Sequence, residues 1–144
     1  DLSIFKDNSF DLIINPISNL YVEDTLPVWR EAYRVLNDKG ILITGFVNPL
    51  IYLFDQDLEE KGILKVVNSL PYSDLESLDS SKIKKYKEEN IPFEYGHTLE
   101  DQIKGQIDAG LVITGFYEDN FGGEKLYDEY FQSFIVTKAI KINV

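Results

Sequence analysis

One block of the chain, Ser9–Pro49, constrains the fold more than any other part. It reads SFDLIINPISNLYVEDTLPVWREAYRVLNDKGILITGFVNP. Its first apolar run, Phe10–Ile14, does not alternate with polar residues, which is typical of a strand buried on both faces of a parallel sheet. A helical pattern and a second apolar run, Ile41–Phe46, follow. The block therefore predicts a strand–helix–strand unit of an α/β domain.

The helix of this unit carries recognisable start and stop signals. Asp24 or Thr25 can cap it, and Pro27 is tolerated in a first turn because its missing N–H has no helical partner there. The apolar stripe at helical spacing consists of Leu26, Trp29, Ala32, Tyr33 and Leu36. Gly40 suits the left-handed position that ends a helix. These signals predict that the helix packs one apolar side against the sheet.

A second helix-to-strand unit is predicted near the carboxyl end. Thr98 can cap its helix and Gly110 can end it. The apolar residues on the predicted face of this helix are Leu99, Ile103 and Ile107. The strand Leu111–Phe116 follows, and together with Gly110 it reads GLVITGF, which nearly repeats GILITGF (Gly40–Phe46) of the first unit. With a last strand at Ser133–Ala139, the pattern predicts further strands of one sheet.

The segment between the two units, residues 50–95, is less regular than either. Its basic stretch Ser80–Asn90 predicts a solvated, mostly helical face. A connection of this length is too long for a plain link between sheet units. We therefore expect residues 1–144 to form a single partial domain in which 50–95 is a lid-like insertion over one end of the sheet.

Composition excludes several classes of function. The 144 residues include no cysteine, so disulfides, thiol catalysis and thiolate metal sites are ruled out, and a cytoplasmic location is expected. The net charge of −11 opposes binding to nucleic acid. No apolar run is long enough to predict a membrane span, and no histidine–carboxylate cluster has metal-ligand spacing. The absence of methionine leads us to expect a longer parent protein.

Two segments of the chain resemble a known enzyme family. DNSFDLI (Asp7–Ile13) and WREAYRVLNDKG (Trp29–Gly40) resemble the pattern of class I S-adenosylmethionine-dependent methyltransferases. The resemblance implies a Rossmann-like sheet of order 3-2-1-4-5-7-6, of which this chain supplies strands 4, 5, 6 and 7 with two helices. The family's glycine-rich cofactor loop precedes this part and does not occur in the sequence. We therefore expect a carboxyl-terminal half that holds S-adenosylmethionine weakly by itself.

The resemblance also implies which residues approach the cofactor. The start of the chain, Asp1 and Leu2, lies close to the place where the family contacts adenine. The loop after strand 4 passes beside the methionine portion and the transferred methyl. The residues of that loop expected at the cofactor are Asn15, Pro16, Ile17 and Ser18.

A small-molecule methyl acceptor is expected at the same edge. Asn15 is a candidate to orient it by hydrogen bonding, and His97, the only imidazole, is a candidate base. Candidate acceptor contacts are Asn19, Tyr21, Asn48, Tyr52, Tyr95 and His97. Structural explanations stay open: Asn15 and Pro16 can simply end a strand, His97 can bond backbone near a helix cap, and Tyr52 can pack in a core.

A second hypothesis makes the chain a non-catalytic, methyltransferase-like interaction module. Strand 4 then forms a free edge whose unpaired backbone groups attract another chain, such as a second copy in a homodimer. Hydrolase chemistry finds no support, because the sequence has no G-x-S-x-G nucleophile elbow.

Overall fold

A four-stranded sheet and two helical segments form the centre of the molecule in the computed structural model, which describes residues 2–143. The strands are β1 (Phe10–Asn15), β2 (Leu36–Val47), β3 (Tyr72–Ser73), β4 (Tyr95–Gly96), β5 (Leu111–Asp119) and β6 (Phe134–Lys141). The helices are α1 (Leu26–Val35), α2 (Gln56–Glu59), α3 (Asp74–Ser77), α4 (Ser80–Glu88) and α5 (Gly105–Asp108). Single helical turns occupy Asn19–Tyr21, Pro49–Leu53, Glu100–Lys104 and Leu126–Glu129.

The central sheet has the strand order β1-β2-β6-β5. β1 pairs with β2 in parallel, whereas β6 runs antiparallel to both β2 and β5. This is the order 4-5-7-6, with the last strand in the chain reversed between its neighbours. The predicted α/β class and partial Rossmann-like sheet are confirmed.

The turn from α1 into β2 differs from the sequence prediction. The helix ends at Val35, and the strand begins at Leu36 without a separate glycine cap. Lys39, not Gly40, takes the left-handed conformation, with φ 63°. The prediction that Gly40 adopts the left-handed conformation was therefore wrong. A glycine is needed there for lack of space, because an added Cβ would lie 2.8 Å from the Asn37 carbonyl oxygen. The β1–β2 register shifts at the same place.

The core lies between α1 and one face of the sheet. Trp29 and Leu36 are fully buried and pack with residues of β2, β5 and β6, namely Leu42, Leu111 and Ala139. The Trp29 Nε1–H donates to the Asp101 carbonyl oxygen at 3.1 Å. At Gly105, an added Cβ would lie 2.7 Å from the indole Cδ1. The large ring therefore fits only because the facing helix offers a glycine.

The last helical segment confirms its predicted ends but not its predicted apolar face. Thr98 Oγ1 accepts the Asp101 N–H at 3.1 Å, and Gly110 ends the helix with φ 99°. Yet Leu99 and Ile107 are 44% and 55% exposed. The buried residues of the segment are Gln102, Gly105 and Gln106. The close approach to Trp29 selects the glycine side of this helix, so the apolar side faces out.

The opposite face of the sheet, which we call the open face, lacks such a helical layer among residues 2–143. Register places apolar side chains of all four strands on it, among them Leu12, Ile14, Ile41, Ile43, Val112, Val136 and Ile140. Leu12, Ile14 and Ile43 are 49%, 64% and 36% exposed. One face of the sheet is therefore covered by helices, whereas the apolar side chains on the other face are partly exposed.

The irregular segment predicted for residues 50–95 contains only short elements. β3 and β4 form a two-stranded antiparallel ladder, and α4 buries none of its residues, as expected for a solvated basic helix. One isolated antiparallel bridge joins Phe54 to Val66 in this segment. The lid role and the boundaries of the insertion stay predictions. None of the helices described is both long and apolar enough to cross a membrane.

Candidate functional site at the carboxyl edge of the sheet

The loop after β1 is fixed to the end of β2. Because these strands are parallel, their carboxyl ends lie at the same edge, where Asn15 is level with Thr44. The Thr44 hydroxyl donates to the Asn15 carbonyl oxygen at 3.2 Å. The Ile17 N–H donates to the Gly45 carbonyl oxygen at 3.0 Å, with Ile17 at φ 25°. The predicted cofactor loop therefore lies at the carboxyl edge, the usual place for ligands in open α/β sheets.

A polar network sets the orientation of the Asn15 carboxamide. Its Oδ1 accepts the Ser18 hydroxyl at 2.5 Å, and its Nδ2 donates to Asn19 Oδ1 at 3.2 Å. Asn19 is 2% exposed and in turn donates to Gln102 Oε1 at 3.1 Å. Asn15 itself is only half-buried. One amide hydrogen and one oxygen lone pair of Asn15 therefore remain for a ligand.

Gln102 is the member of this network that sequence reasoning missed. It is 3% exposed, in the helical turn Glu100–Lys104. The sequence analysis named only the apolar residues of this helix, and no motif marks a glutamine for burial. Only the packing of Gly105 against Trp29 turns this side of the helix inward.

His97 ties the loop to the strand β4. Its Nε2 lies 2.7 Å from the Val22 carbonyl oxygen and 3.1 Å from the Asn19 carbonyl oxygen. Because both partners are acceptors, Nε2 carries the proton and donates. The ring is 9% exposed and stacks on Tyr95 with centroids 6.4 Å apart. This contact set agrees with the structural explanation for His97, and its role as a base stays a prediction.

The structure brings four candidate acceptor residues together in this way. The helical turn that contains Asn19 and Tyr21 contacts β4, which carries Tyr95 and leads into His97. Tyr21 is half exposed at 50%. The group therefore offers one exposed phenol beside a buried polar anchor.

Tyr52 is buried one layer behind this group. It is 3% exposed and stacks on Tyr72 with ring centroids 4.9 Å apart. Its hydroxyl donates to Glu94 Oε2 at 2.8 Å. Burial raises the pKa of the Glu94 carboxyl, and burial together with that carboxyl raises the pKa of the Tyr52 hydroxyl. An added Cβ at Gly96 would lie 2.6 Å from the Tyr52 ring, so this pair packs directly against β4.

Asn48 does not join the loop cluster. It follows β2, and its Oδ1 accepts the Leu50 N–H at 3.1 Å. Its Nδ2 donates to the Gln132 carbonyl oxygen at 3.0 Å. The side chain is 7% exposed and caps the turn Pro49–Leu53. Its predicted contact with an acceptor stays a prediction.

The start of the chain is separated from the loop. Asp1 lies outside the described residues. The Leu2 carbonyl oxygen accepts Arg34 Nη2 at 3.0 Å, near the carboxyl end of α1. That place adjoins the amino ends of β1 and β2, so the structure does not bring Leu2 to Asn15. The expected adenine contact stays a prediction.

A cavity of about 150 Å³ lies beside the Tyr52–Tyr72 stack. Residues of its wall include Tyr52, Tyr72, Asp55, Asp57, Asn68 and Lys82. Lys82 and Asp57 form an ion pair across it at 3.2 Å. The cavity is smaller than most sites for small organic ligands, which measure about 300–1,000 Å³.

Comparisons with known proteins agree with this geometry. A family model described as a methyltransferase domain matches residues 1–44. The chain is 55% identical over 142 residues to the uncharacterized methyltransferase YbaJ of Bacillus subtilis (strain 168), covering 99% of this chain and 55% of that protein. The chain therefore spans about half the length of this relative.

Solved structures show the same fold. An S-adenosylmethionine-dependent methyltransferase from Mesorhizobium loti superposes with a TM-score of 0.63 at 15% identity, covering 95% of this chain and 64% of the other. A putative enzyme of that kind from Listeria monocytogenes gives 0.64 at 14% identity, covering 96% and 64%. Both of these solved proteins are described as dependent on S-adenosylmethionine. In its sequence the chain is similar to a methyltransferase, and in its fold it is similar to class I S-adenosylmethionine-dependent methyltransferases.

Proposed function

We propose that this chain forms the acceptor side of an S-adenosylmethionine-dependent methyltransferase whose acceptor is a small molecule. The observation that supports the proposal most is the Asn15–Asn19 loop, held at the carboxyl edge of β1 and β2 with the Asn15 carboxamide oriented by Ser18 and Asn19. Oriented groups at this edge suit a reaction that depends on positioning.

The residues of the loop fit one part of the cofactor. Pro16, Ile17 and Ser18 are exposed beside Asn15 and offer apolar and hydroxyl contacts for an amino-acid moiety. Among residues 2–143, no glycine-rich turn connects a strand to a helix in the manner that holds nucleotide groups. We therefore expect weak cofactor binding by the 144 residues alone.

The cofactor supplies, when bound, an electrophilic methyl group on a sulfonium sulfur. The part of this chain is to bring the acceptor into line and to exclude water. The free amide hydrogen or lone pair of Asn15 can hold the acceptor, while His97 keeps the loop in place through its bonds to Asn19 and Val22. A base is required only if the acceptor carries a proton to lose, and His97 Nδ1 is our candidate.

A chimera with the Bacillus relative tests this proposal. Replacing the matched 55% of that protein by this chain is conservative at 55% identity. We expect the chimera to bind S-adenosylhomocysteine in calorimetry and Asn15→Ala to weaken binding about tenfold, near 1.4 kcal/mol. The matched control is Asn120→Ala, in the exposed turn after β5, which should change affinity less than twofold.

Two results would contradict the proposal. A folded chimera that does not bind S-adenosylhomocysteine removes the cofactor function, and equal losses for both asparagine variants remove the role of the loop. Separately, micromolar binding by the isolated 144 residues would refute the expected weakness of the chain alone.

A second candidate function is a non-catalytic interaction module. The observation that favours it is the edge of β1, which pairs only with β2 within residues 2–143. Light scattering distinguishes a monomer from a homodimer of the isolated chain. If the chain is a module that acts as a homodimer, we expect twice the monomer mass.

A further inference from the structure

The outer edge of β5 is a free edge at the far end of the sheet from β1. β5 ends the order β1-β2-β6-β5, and within residues 2–143 no strand pairs with its outer side. The strand is nine residues long and contains neither proline nor lysine, two residues that commonly protect a free edge. Its pairing with β6 is interrupted only by the register shift between Ile113 and Gly115. β5 therefore offers unpaired backbone groups to another strand.

The helix that precedes β5 turns its apolar side toward the same edge. Gly105 faces α1, where an added Cβ would lie 2.7 Å from the indole ring. Gln106, about 100° further round the helix, faces β6 and accepts the Thr137 hydroxyl at 3.0 Å. The next residue in the same direction is Ile107. Because α1 lies on one side of this helix and β6 lies below it, Ile107 lies on the remaining side, beyond β6 and above the edge of β5.

This side of the helix and the adjoining part of β5 form one apolar surface that is open to water. Leu99 and Ile107 are 44% and 55% exposed, and Ile103, which shares their side of the helix, is half-buried. In β5, Phe116 is level with Thr137 of β6 and so lies on the helix-covered face, yet it is 54% exposed. We call the three helix residues and Phe116 the β5 strip. The strip runs beside the free strand edge.

A second copy of this chain supplies both elements that this surface lacks, a strand for the edge and an apolar helix side for the β5 strip. A two-fold interface joins the same patch on both subunits, so a patch with both elements side by side is complementary to itself. The nine residues of β5 span about 30 Å, and the strand with its helix is about 20 Å high. The resulting area, roughly 600 Å² per partner, exceeds the roughly 500 Å² that a specific interface needs from each side.

The charges of β5 allow this pairing. In an antiparallel pair of two β5 strands with the two-fold axis at Thr114, Phe116 lies opposite Val112 of the second copy, and Glu118 lies opposite Gly110. The acidic end of each strand therefore faces an uncharged end of the other. Like charges directly opposite each other, which destabilise a strand pair, are avoided.

We propose that two copies of this chain form a symmetric dimer through the edge of β5 and the β5 strip. The two sheets then continue as one, and the two helices meet by their apolar sides across the axis. Because β5 and β1 are at opposite ends of the sheet, the dimer leaves β1 and the loop after it free. The proposal goes beyond the proposed function, since the dimer requires neither cofactor nor acceptor.

Sedimentation velocity of the 144-residue chain and of the chimera with the Bacillus relative tests the dimer. We expect twice the monomer mass for both proteins. Ile107→Lys should weaken the association about tenfold or more, because it places an unpaired charge in the contact. The matched control is Ile63→Lys, 51% exposed in the irregular segment, which should change the association less than about twofold. Since each chain carries a net charge of −11 and the contact is apolar, higher salt should strengthen the association.

Cross-linking tests the same contact without a charged substitution. The chain contains no cysteine, so a single introduced thiol reports on one position. Thr114→Cys, on the exposed edge of β5, should yield a covalent dimer with a short thiol-specific cross-linker, because residues opposite each other in paired strands have Cα atoms about 5 Å apart. The matched control is Glu124→Cys, in the exposed turn after β5, which should remain largely monomeric under the same conditions.

Three outcomes would overturn the β5 dimer. They are a monomeric chain and chimera, equal effects of Ile107→Lys and Ile63→Lys, or a dimer that is disrupted by Ile14→Lys on β1 and not by Ile107→Lys. Failure of the proposed function looks different. A dimeric chimera that does not bind S-adenosylhomocysteine contradicts the function alone, whereas a monomeric chimera that binds it contradicts the dimer alone.

Discussion

The two faces of the central sheet are built from the same strands and the same residue types, yet only one is a core. In β2, Leu42 is fully buried while its neighbour Ile43 is 36% exposed. In β6, Lys141 is 5% exposed on the helix-covered face, whereas Lys138 is exposed on the open face. Burial here depends on which helices are available as cover. An apolar strand residue can therefore belong to an interface rather than to the core.

The largest expected difference between the faces comes from truncating their apolar residues. Trp29→Ala empties the centre of the covered face and should cost about 3–5 kcal/mol of unfolding free energy. Ile43→Ala, on the open face, should cost about 1 kcal/mol, because much of the side chain is already in water. Urea unfolding of both variants measures the contrast, and equal losses would show that the open face is part of the core.

Glycine substitutions sharpen the comparison. Gly105→Ala places a methyl group 2.7 Å from the Trp29 ring and should cost about 3 kcal/mol, the upper end for overpacking. Gly45→Ala, on the open-face side of β2, meets its nearest neighbour, Ile17, at an ordinary 3.4 Å. We expect that variant to change stability by less than about 0.5 kcal/mol. A neutral Gly105→Ala in thermal unfolding would break the contrast.

The two lysines of β6 give a charged version of the same test. Lys141 Nζ donates to the Leu36 carbonyl oxygen and to Asn8 Oδ1, both at 2.8 Å, and lies 4.5 Å from the centre of the Tyr33 ring. Lys141→Ala leaves a buried carbonyl without its partner and should cost about 2 kcal/mol. Lys138→Ala should be nearly neutral. Chemical denaturation of the two variants measures both losses of unfolding free energy. A larger loss for Lys138→Ala than for Lys141→Ala would contradict the assignment of the covered and open faces.

The smallest expected effect concerns Glu94, which lies in the irregular segment between β2 and β5 rather than on either face of the sheet. Burial raises the pKa of Glu94, so the folded state binds its proton more tightly than the unfolded state does. Its stabilising contribution is complete below the unfolded pKa of that carboxyl and is lost as pH rises through the folded value. Relative to Glu94→Gln, the parent chain should lose stability as the pH rises above about 4, the ordinary pKa of a glutamate, in unfolding series at several pH values. A gap that does not change with pH would contradict the raised pKa.

Local signals in the sequence account for much of the fold and for the position of the loop. The sheet elements were predicted from the non-alternating run Phe10–Ile14, the capped helix before β2 and the near-identical stretches GILITGF and GLVITGF. Such signals are local, because hydrophobic periodicity and helix caps act over a few residues. The resemblance of Asp7–Gly40 to the methyltransferase pattern then predicted the order 4-5-7-6. Both expectations agree with the structure.

Only part of the candidate site could be predicted from such local signals. The sequence marked Asn15, Asn19 and His97, but not Gln102, whose burial depends on a contact between Gly105 and Trp29 across 76 positions of the chain. It also grouped Tyr52 and Asn48 with the acceptor site, whereas their side chains are buried and their polar atoms already paired. Hydrogen-bond partners of this kind come from distant segments, and no local pattern encodes them.

By itself, the sequence determined the resemblance to methyltransferases, the main strands of the sheet, the helix α1 and the loop that follows β1, since these depend on residue periodicity and on short motifs. The tertiary structure alone decided which face of each element is buried. Because Gly105 packs against the Trp29 ring, the polar side of the helix that ends in α5 faces the core. Because no second helical layer covers the open face within residues 2–143, Leu12, Ile14 and Ile43 are partly exposed. Burial is a property of the contact between elements, because apolar surface leaves water only where another surface meets it.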